Sequence, residues 1–448
     1  MVAKVYHMNG RSHSLQTGLV AEMLTLFDEV GFGAMIEPYD IVAIKLHCGE
    51  WNNTAYLRPV YARALADKIK ELGGRPFVCD TVTLTYSPYC GRITGLDLLI
   101  TAERNGFTSA ALGCPFIVAD GFNGTDDVRV DLPEGFILKE AYIAKAIALA
   151  DVVIALTHFK GHPMGVIGGS LKNLGIGAQS RRGKYNVHMG GHPEYGLGAA
   201  SEFHPERCKG RAGCPDWELC ERTCPYSLLH VTEHSIEWRR EECVNCLSHL
   251  GMHGGCGVTH MPKVNFQAVE AAIADGCLAV VKAVGQEKVG FINMAIDISP
   301  ACDCVSYADM PLVPNLGVLA SKDPVALDKA TLDLATASAG MPGSAAEDME
   351  VMERGAKKFE TAAARMVLGL NEETQLNAGQ LNGLGSKEYE LVEVEPREDA
   401  APFRFPEDPR PAGLRLRNIY AKEDPFPRDR YEGQGFKRLE RVDLSKVV

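Results

Sequence analysis

The chain predicts an α/β protein, with mostly parallel sheets in two α/β parts and a small cysteine-rich lobe inserted between them. Three observations carry this prediction. From the N-terminus to about residue 200, short apolar strands alternate with amphipathic helices, the pattern of βαβ units. Between Glu206 and Pro262 the apolar periodicity vanishes, and Cys, Gly and His dominate. After Val264 the strand–helix alternation resumes.

Taken in order, the opening MVAKVYHMNG reads as a first strand. Residues 40–46 (DIVAIKL) form a second, 60–72 an amphipathic helix and 76–79 the next strand. Residues 139–149 read as a helix and 152–156 (VVIAL) as a buried strand. Past the lobe, 266–275 read as a helix, 278–284 and 289–296 as strands, and 324–337 as a helix. From about Glu395 the chain is rich in Pro and charge (PREDAAPFRFPEDPRP), so an extended tail over the surface or against a neighbouring subunit is expected. The domains so delimited are 1–205, 206–262, 263–395 and 396–448.

The formal net charge is −12 over 448 residues. That balance argues against a nucleic-acid binder, whose phosphate contacts need clustered Lys and Arg, and against an anionic membrane surface. The apolar stretch 141–159 is broken by Lys145 and Asp151, too soon for a membrane span. The N-terminus lacks the basic start and apolar run of a secretory signal, so a cytoplasmic location is expected. In a reducing compartment fourteen cysteines point to metal or cluster ligation rather than disulfides.

Seven of those cysteines fall between Cys208 and Cys256. The first group is Cys208, Cys214, Cys220 and Cys224, followed by Pro225; the second is Cys243, Cys246 and Cys256. A bacterial ferredoxin run is C-x2-C-x2-C-x3-C-P, and the last cysteine of each run serves the other cluster. Cys220-x3-Cys224-Pro225 fits that ending, whereas the spacings before it are wider. In the second group the regular register places ligands at 249 and 253, where His249 and His253 stand. The expectation is a ferredoxin-like iron–sulfur lobe with one or two 4Fe–4S clusters. A zinc knuckle is the alternative for a Cys/His mix.

Polar stations follow the strands, where α/β proteins place their sites. After 40–46 come His47, Glu50 and Asn53, and after 76–79 comes Asp80. After 152–156 come His158, Lys160 and His162, then a glycine-rich run with Lys172 and Asn173, and then Arg181. Glycines admit close approach of backbone to an anion, which Lys172 and Arg181 would neutralise. His47, Glu50, His158, Lys160 and His162 are the catalytic candidates; Asn53, Asp80, Lys172, Asn173 and Arg181 are the substrate-binding ones. No Walker loop or G-x-G-x-x-G is present, so no nucleotide is inferred. In the second part Cys302 and Cys304 form a C-x-C pair that could bind metal, attack a substrate, exchange electrons or lie inert as small hydrophobes. Ser321 or Asp323 reads as the cap of the helix that Pro324 begins.

The stretches IKLHCGEWNNTAYLRP, CDTVTLTY, LTHFKGH, GGSLKNLGIG, PACDC, SKDPVALDKATLDL and GLGSKEYELVEV together resemble a domain-of-unknown-function family of ferredoxin-bearing iron–sulfur centre proteins. The resemblance spans about residues 1 to 395 and implies the α/β fold and a two-cluster ferredoxin insert of an anaerobic type. His249, His253 and the widened first group depart from the regular insert, which puts the second cluster in question. The run from Gly161 to Lys172 is more distantly similar to the nickel-pincer lactate racemase family, which implies a bound cofactor near Lys172.

The expected function is an iron–sulfur oxidoreductase that passes electrons from the cluster to a small anionic substrate, fed by an electron-donor protein. Its alternatives are a non-redox enzyme with an additional divalent metal at His158, His162 and Glu50, or an electron-transfer subunit. Association into a homo-oligomer is also expected to be compatible with the tail.

Overall fold

Strands from both α/β parts build one sheet in the computed structural model, which describes residues 2–84, 90–188, 202–243, 246, 248, 256–363, 369–399, 405, 407–426 and 443–446. In chain order the strands are β1 (Ala3–Met8), β2 (Ile41–Lys45), β3 (Arg75–Asp80), β4 (Phe116–Val118), β5 (Asp127–Asp131) and β6 (Glu140–Ala144). They continue with β7 (Val152–His158), β8 (Lys160–His162), β9 (Val166–Gly168), β10 (Glu202–Phe203), β11 (Leu229–Val231) and β12 (Ile236–Trp238). Last come β13 (Thr259–His260), β14 (Val289–Ala295), β15 (Gly317–Ser321) and β16 (Tyr389–Glu393). The central sheet has eight strands in the order β16-β1-β15-β14-β7-β2-β3-β4. Only β15 runs antiparallel to its neighbours, β1 and β14; the other pairs are parallel.

Strands β7, β14 and β15 are buried at every residue. This is why they read as continuous apolar runs, as parallel strands covered on both faces do. Their side chains alternate between two cores: Val153 and Ala155 enter one, and Val152, Ile154 and Leu156 the other.

Two expectations change. Residues 263–284 form one 22-residue helix, Lys263–Val284, where a helix and a strand were expected. Its residues from Val269 to Val281 are all buried, and a helix apolar on every side has no period to read. This helix is long and apolar enough to cross a membrane, but 72% of its apolar window is buried inside the protein. Residues 139–149 give β6 and the short helix Lys145–Ala148, because 140–144 pair antiparallel with β5 and that pairing overrides helical propensity.

The helix Lys263–Val284 passes the short helix Ser170–Gly175 at glycine, where a Cβ on either Gly175 or Gly276 would strike the other helix's backbone. The N-terminus of that short helix is held by Asp328, which accepts from the amides of Ser170 and Leu171 at 2.8 and 2.9 Å. Of the two cap candidates, Asp323 rather than Ser321 caps the helix Pro324–Ala337, accepting from Val325 and Ala326.

In the cysteine-rich segment β10 pairs with β13 and β11 with β12. Its own core is small: Leu229, Val231, Ile236 and Val258, with Cys208, Cys220 and Cys224 packed against it. The chain divides into two compact units, Met1–Pro396 and Arg397–Val448. In the second, residues Ala412–Tyr420 are helical rather than extended, and the Arg415 guanidinium lies over the Phe405 ring.

Candidate functional site

The carboxyl ends of β2, β3 and β7 lie side by side in the sheet, and their last residues, with those just beyond, converge on one cavity. Strand β2 delivers Lys45 and His47, β3 delivers Asp80, and β7 delivers Thr157 and His158. The hairpin β8–β9 adds Lys160, His162 and Gly168. The helix Ser170–Gly175 adds Lys172 and Asn173, and the helix Arg181–His188 adds Lys184 and His188. The cavity opens to solvent, its empty space being about 660 Å³ with that open part included, and Arg92 and Cys304 complete its reactive lining.

Most of its charges are matched at close range. The buried Lys45 ammonium contacts Asp80 at 3.0 Å and donates to the Leu46 carbonyl at 2.6 Å. Asn173 donates to the Lys45 and Leu156 carbonyls and to the Thr157 hydroxyl, and it accepts from Lys45. Burial acts to raise the pKa of Asp80, but Lys45, His47 and Arg92 outweigh it and hold the carboxyl below its usual range. Arg92 contacts Glu50 at 3.0 Å. His158 Nδ1 lies 2.9 Å from Asp303 and Nε2 2.8 Å from the Ile296 carbonyl, while Lys160 reaches Asp303 at 3.0 Å. Against the penalty of burial, His158 and Lys160 hold Asp303 below the usual carboxylate range. Lys184 donates to Thr81 and to the Gln179 carbonyl, each at 2.6 Å; burial lowers it to about 8 in spite of Asp120.

Lys172 differs. Its ammonium has no ion pair or hydrogen bond among the described residues. Burial, followed by the charges of Lys160, Arg92 and Lys45, lowers it to about 7, with Asp303 opposing. Near neutral pH it is therefore poised between ammonium and amine. Two of the histidines are held neutral: burial, then Arg92, lowers His47, and burial, then Lys172, His188 and Lys160, lowers His162. His188 falls to about 4, chiefly by burial.

Of the sequence candidates, His47, Asp80, His158, Lys160, His162, Lys172, Asn173 and Cys304 line this cavity. Three others are placed differently. Glu50 lies behind the wall, where it accepts from Arg92, Cys90 and the amides of Trp51 and Gly91. Asn53 ties the Val305 and Tyr307 carbonyls to its own turn. Arg181 donates to Asn123 and the Ile93 carbonyl. Since Glu50 and both nitrogens of His158 are engaged, His158, His162 and Glu50 do not assemble around one metal. Among the described residues, the group whose ligand atoms do lie within 4.8 Å of one another is His162, Cys302 and Cys304, and its two cysteines are joined as a disulfide.

Sequence reasoning passed over Lys45 and Arg92. A lysine at the end of the apolar run IVAIK was the available signal for Lys45, since a buried lysine requires a partner. Nothing local marks Arg92.

In the cysteine-rich segment, burial raises the Cys220 thiol to about 11, with Cys214, Cys256 and Cys208 adding to the shift in that order. Backbone amides of Gly210 and Leu228 donate to the sulfurs of Cys208 and Cys224. Cys243 and Cys246 also lie within the described residues, whereas His249 and His253 lie outside them. The segment's exit leads to Met261, which packs with Leu84 and Tyr185, neighbours of the cavity-lining Thr83 and Lys184.

Comparison with known proteins gives three findings. Residues 42–333 match the family described as domain of unknown function (DUF362). A 171-residue stretch, 37% of this chain, is 30% identical to the thylakoid-associated protein sll1697 of Synechocystis. That stretch spans about half, 48%, of the relative's length. The lactate racemase apoprotein from Thermoanaerobacterium thermosaccharolyticum aligns with 66% of this chain and 51% of its own, at 13% identity and a TM-score of 0.32.

Proposed function

We propose, from the premise that this chain belongs to the DUF362 family of domains of unknown function, that it is an iron–sulfur oxidoreductase acting on a small anionic substrate in the basic cavity. Lys172 carries the reading. It is a basic group with no carboxylate partner among the described residues, in a cavity whose other basic groups are matched or bonded. A substrate carboxylate or phosphate would complete its pairing, and a site that binds anions needs such an unmatched donor. The neutral imidazoles of His47 and His162 accept from backbone amides at Nδ1, so each carries on Nε2 a proton it can donate to that anion. The His158–Asp303–Lys160 and Lys45–Asp80–Asn173 groups hold the wall in place.

The cysteine-rich segment suits a cluster. Cys208, Cys214 and Cys256 each act electrostatically on Cys220, which supports a grouping of these four from two distant stretches of chain. This is the ferredoxin arrangement of three cysteines of one run with the last of the other. These four would hold one 4Fe–4S cluster, leaving Cys224, Cys243 and Cys246 for a second. When bound, such a cluster supplies one-electron steps. The small apolar core of the segment supports a lobe that depends on metal for its stability. The packing of Met261 on Leu84 and Tyr185 supports a lobe beside the cavity, where it would relay electrons from a donor protein.

The test is anaerobic purification followed by iron, sulfide and zinc analysis, with electron paramagnetic resonance of the reduced protein. Iron and sulfide in equal amounts, lost in Cys256→Ser, are expected. Zinc without sulfide would refute the reading.

A further inference from the structure

The loop carrying Cys302 and Cys304 is pinned against the cavity. Gly161 donates to the Ser299 carbonyl at 2.8 Å, and a Cβ on Gly161 would strike the Pro300 backbone. Asp303, between the two cysteines, is locked onto His158 and Lys160. Cys302 is buried, 2% exposed, and its sulfur accepts from the Cys304 amide at 3.2 Å. Cys304 lines the cavity. The disulfide between them closes a ring over a sequence separation of two. So short a loop removes little entropy from the unfolded chain, and the bond is a poor staple.

His162 faces Cys304, with Nε2 3.9 Å from its sulfur. The tautomer follows from the other nitrogen. Nδ1 accepts from the amides of Met164 and Gly165 at 3.1 and 2.9 Å, so a neutral ring carries its proton on Nε2. That nitrogen then has a hydrogen to donate and no lone pair for a metal. Of the groups acting on His162, the cations are Lys172 and Lys160, while His188 and His47 are lowered. A sulfur beside an N–H donor and cations is one whose thiolate is stabilised.

We infer that Cys302 and Cys304 are a redox-active pair that exchanges two electrons with a small anionic disulfide in the cavity, with Cys304 as the attacking sulfur and His162 as its positioning residue. In the reduced pair, the Cys304 thiolate attacks one sulfur of the substrate disulfide, whose other sulfur leaves as a thiolate. The Cys302 thiolate then attacks Cys304, which releases the second substrate thiolate and closes the Cys302–Cys304 bond. Two protons from the pair end on the two product thiols, and a dithiol reductant restores the pair by the reverse exchange. The inference stands on this loop and the basic cavity and holds whether or not the cysteine-rich segment carries a cluster.

The full-length protein tests it directly, because the tryptic fragment 289–322 contains Cys302 and Cys304 and no other cysteine. Thiols are blocked with N-ethylmaleimide before and after dithiothreitol treatment, and that fragment is weighed. It is expected to be unlabelled before reduction and doubly labelled after it. The reduced protein is then mixed with dianionic 5,5′-dithiobis(2-nitrobenzoate) or neutral 2,2′-dipyridyl disulfide, and oxidation of the fragment is followed. Lys172→Met is expected to slow the dianionic reagent about tenfold and leave the neutral one unchanged. His162→Ala is expected to move the pH midpoint of Cys304 alkylation up by about one unit, a tenfold loss of thiolate below it. Two labelled thiols in the air-equilibrated protein, or one zinc per chain protecting both, would overturn the inference. So would equal effects of Lys172→Met on both reagents, or an unmoved midpoint in His162→Ala.

Discussion

Lys172 makes the proposed anion site measurable through its proton. Burial and the cations Lys160, Arg92 and Lys45 bring it to about 7, whereas a bound anion favours its charged form and raises that value. Between the free and bound values, binding takes up one proton. Affinity is therefore greatest below pH 7 and falls by about tenfold per pH unit above it. An anion seated about 4 Å from the ammonium gains about 4 kcal/mol at an effective dielectric constant of about 20. Desolvation of both ions returns part of this, which leaves a net contribution of roughly tenfold to a hundredfold in affinity. The assay is isothermal titration calorimetry with inorganic sulfate, whose own charge is constant between about pH 6 and 9. Wild type is expected to show the plateau and the slope. Lys172→Met is expected to bind about tenfold to a hundredfold more weakly at low pH and to lose the slope that starts at 7. A slope that survives in Lys172→Met would assign the proton to Lys184, which titrates at about 8, and would refute the reasoning.

Other perturbations probe the scaffold. Asp303→Ala leaves His158 and Lys160 buried without their shared counter-ion, and urea denaturation is expected to show a loss of about 3–5 kcal/mol. Gly161→Ala forces a Cβ against the Pro300 backbone; a cost of about 1–3 kcal/mol is expected, together with altered alkylation of Cys304 on the displaced loop. Glu22, buried with an unpartnered oxygen, is raised by burial from 4.5 to about 8. A group so raised contributes stability below its unfolded pKa that is lost as pH rises through the folded one. Stability is thus expected to fall between pH 4.5 and about 8, and Glu22→Gln should flatten that part of the denaturation profile.

How much of this was legible in advance varied with the distance over which each cause acts. Strand β2, the helix Pro59–Glu71 and the helix Pro324–Ala337 were readable within a residue or two, since pleat, helical period and caps are local. The helix Lys263–Val284 was not, because burial on every side erased its period.

The same division runs through the site. Sequence by itself determined the polar stations at the strand ends and the cysteine window, because α/β topology sends successive strand ends to one edge of the sheet and ligand spacing is a short-range property. Only the tertiary structure decided which station does what. Glu50 and His158 looked as reactive as His162, yet Arg92 engages one and Asp303, 145 residues away, the other. Lys172 was left without such a partner among the described residues, and Cys304 was turned toward His162. Charge pairing in a low-dielectric interior depends on separations of a few ångströms, and those are set by how distant segments pack.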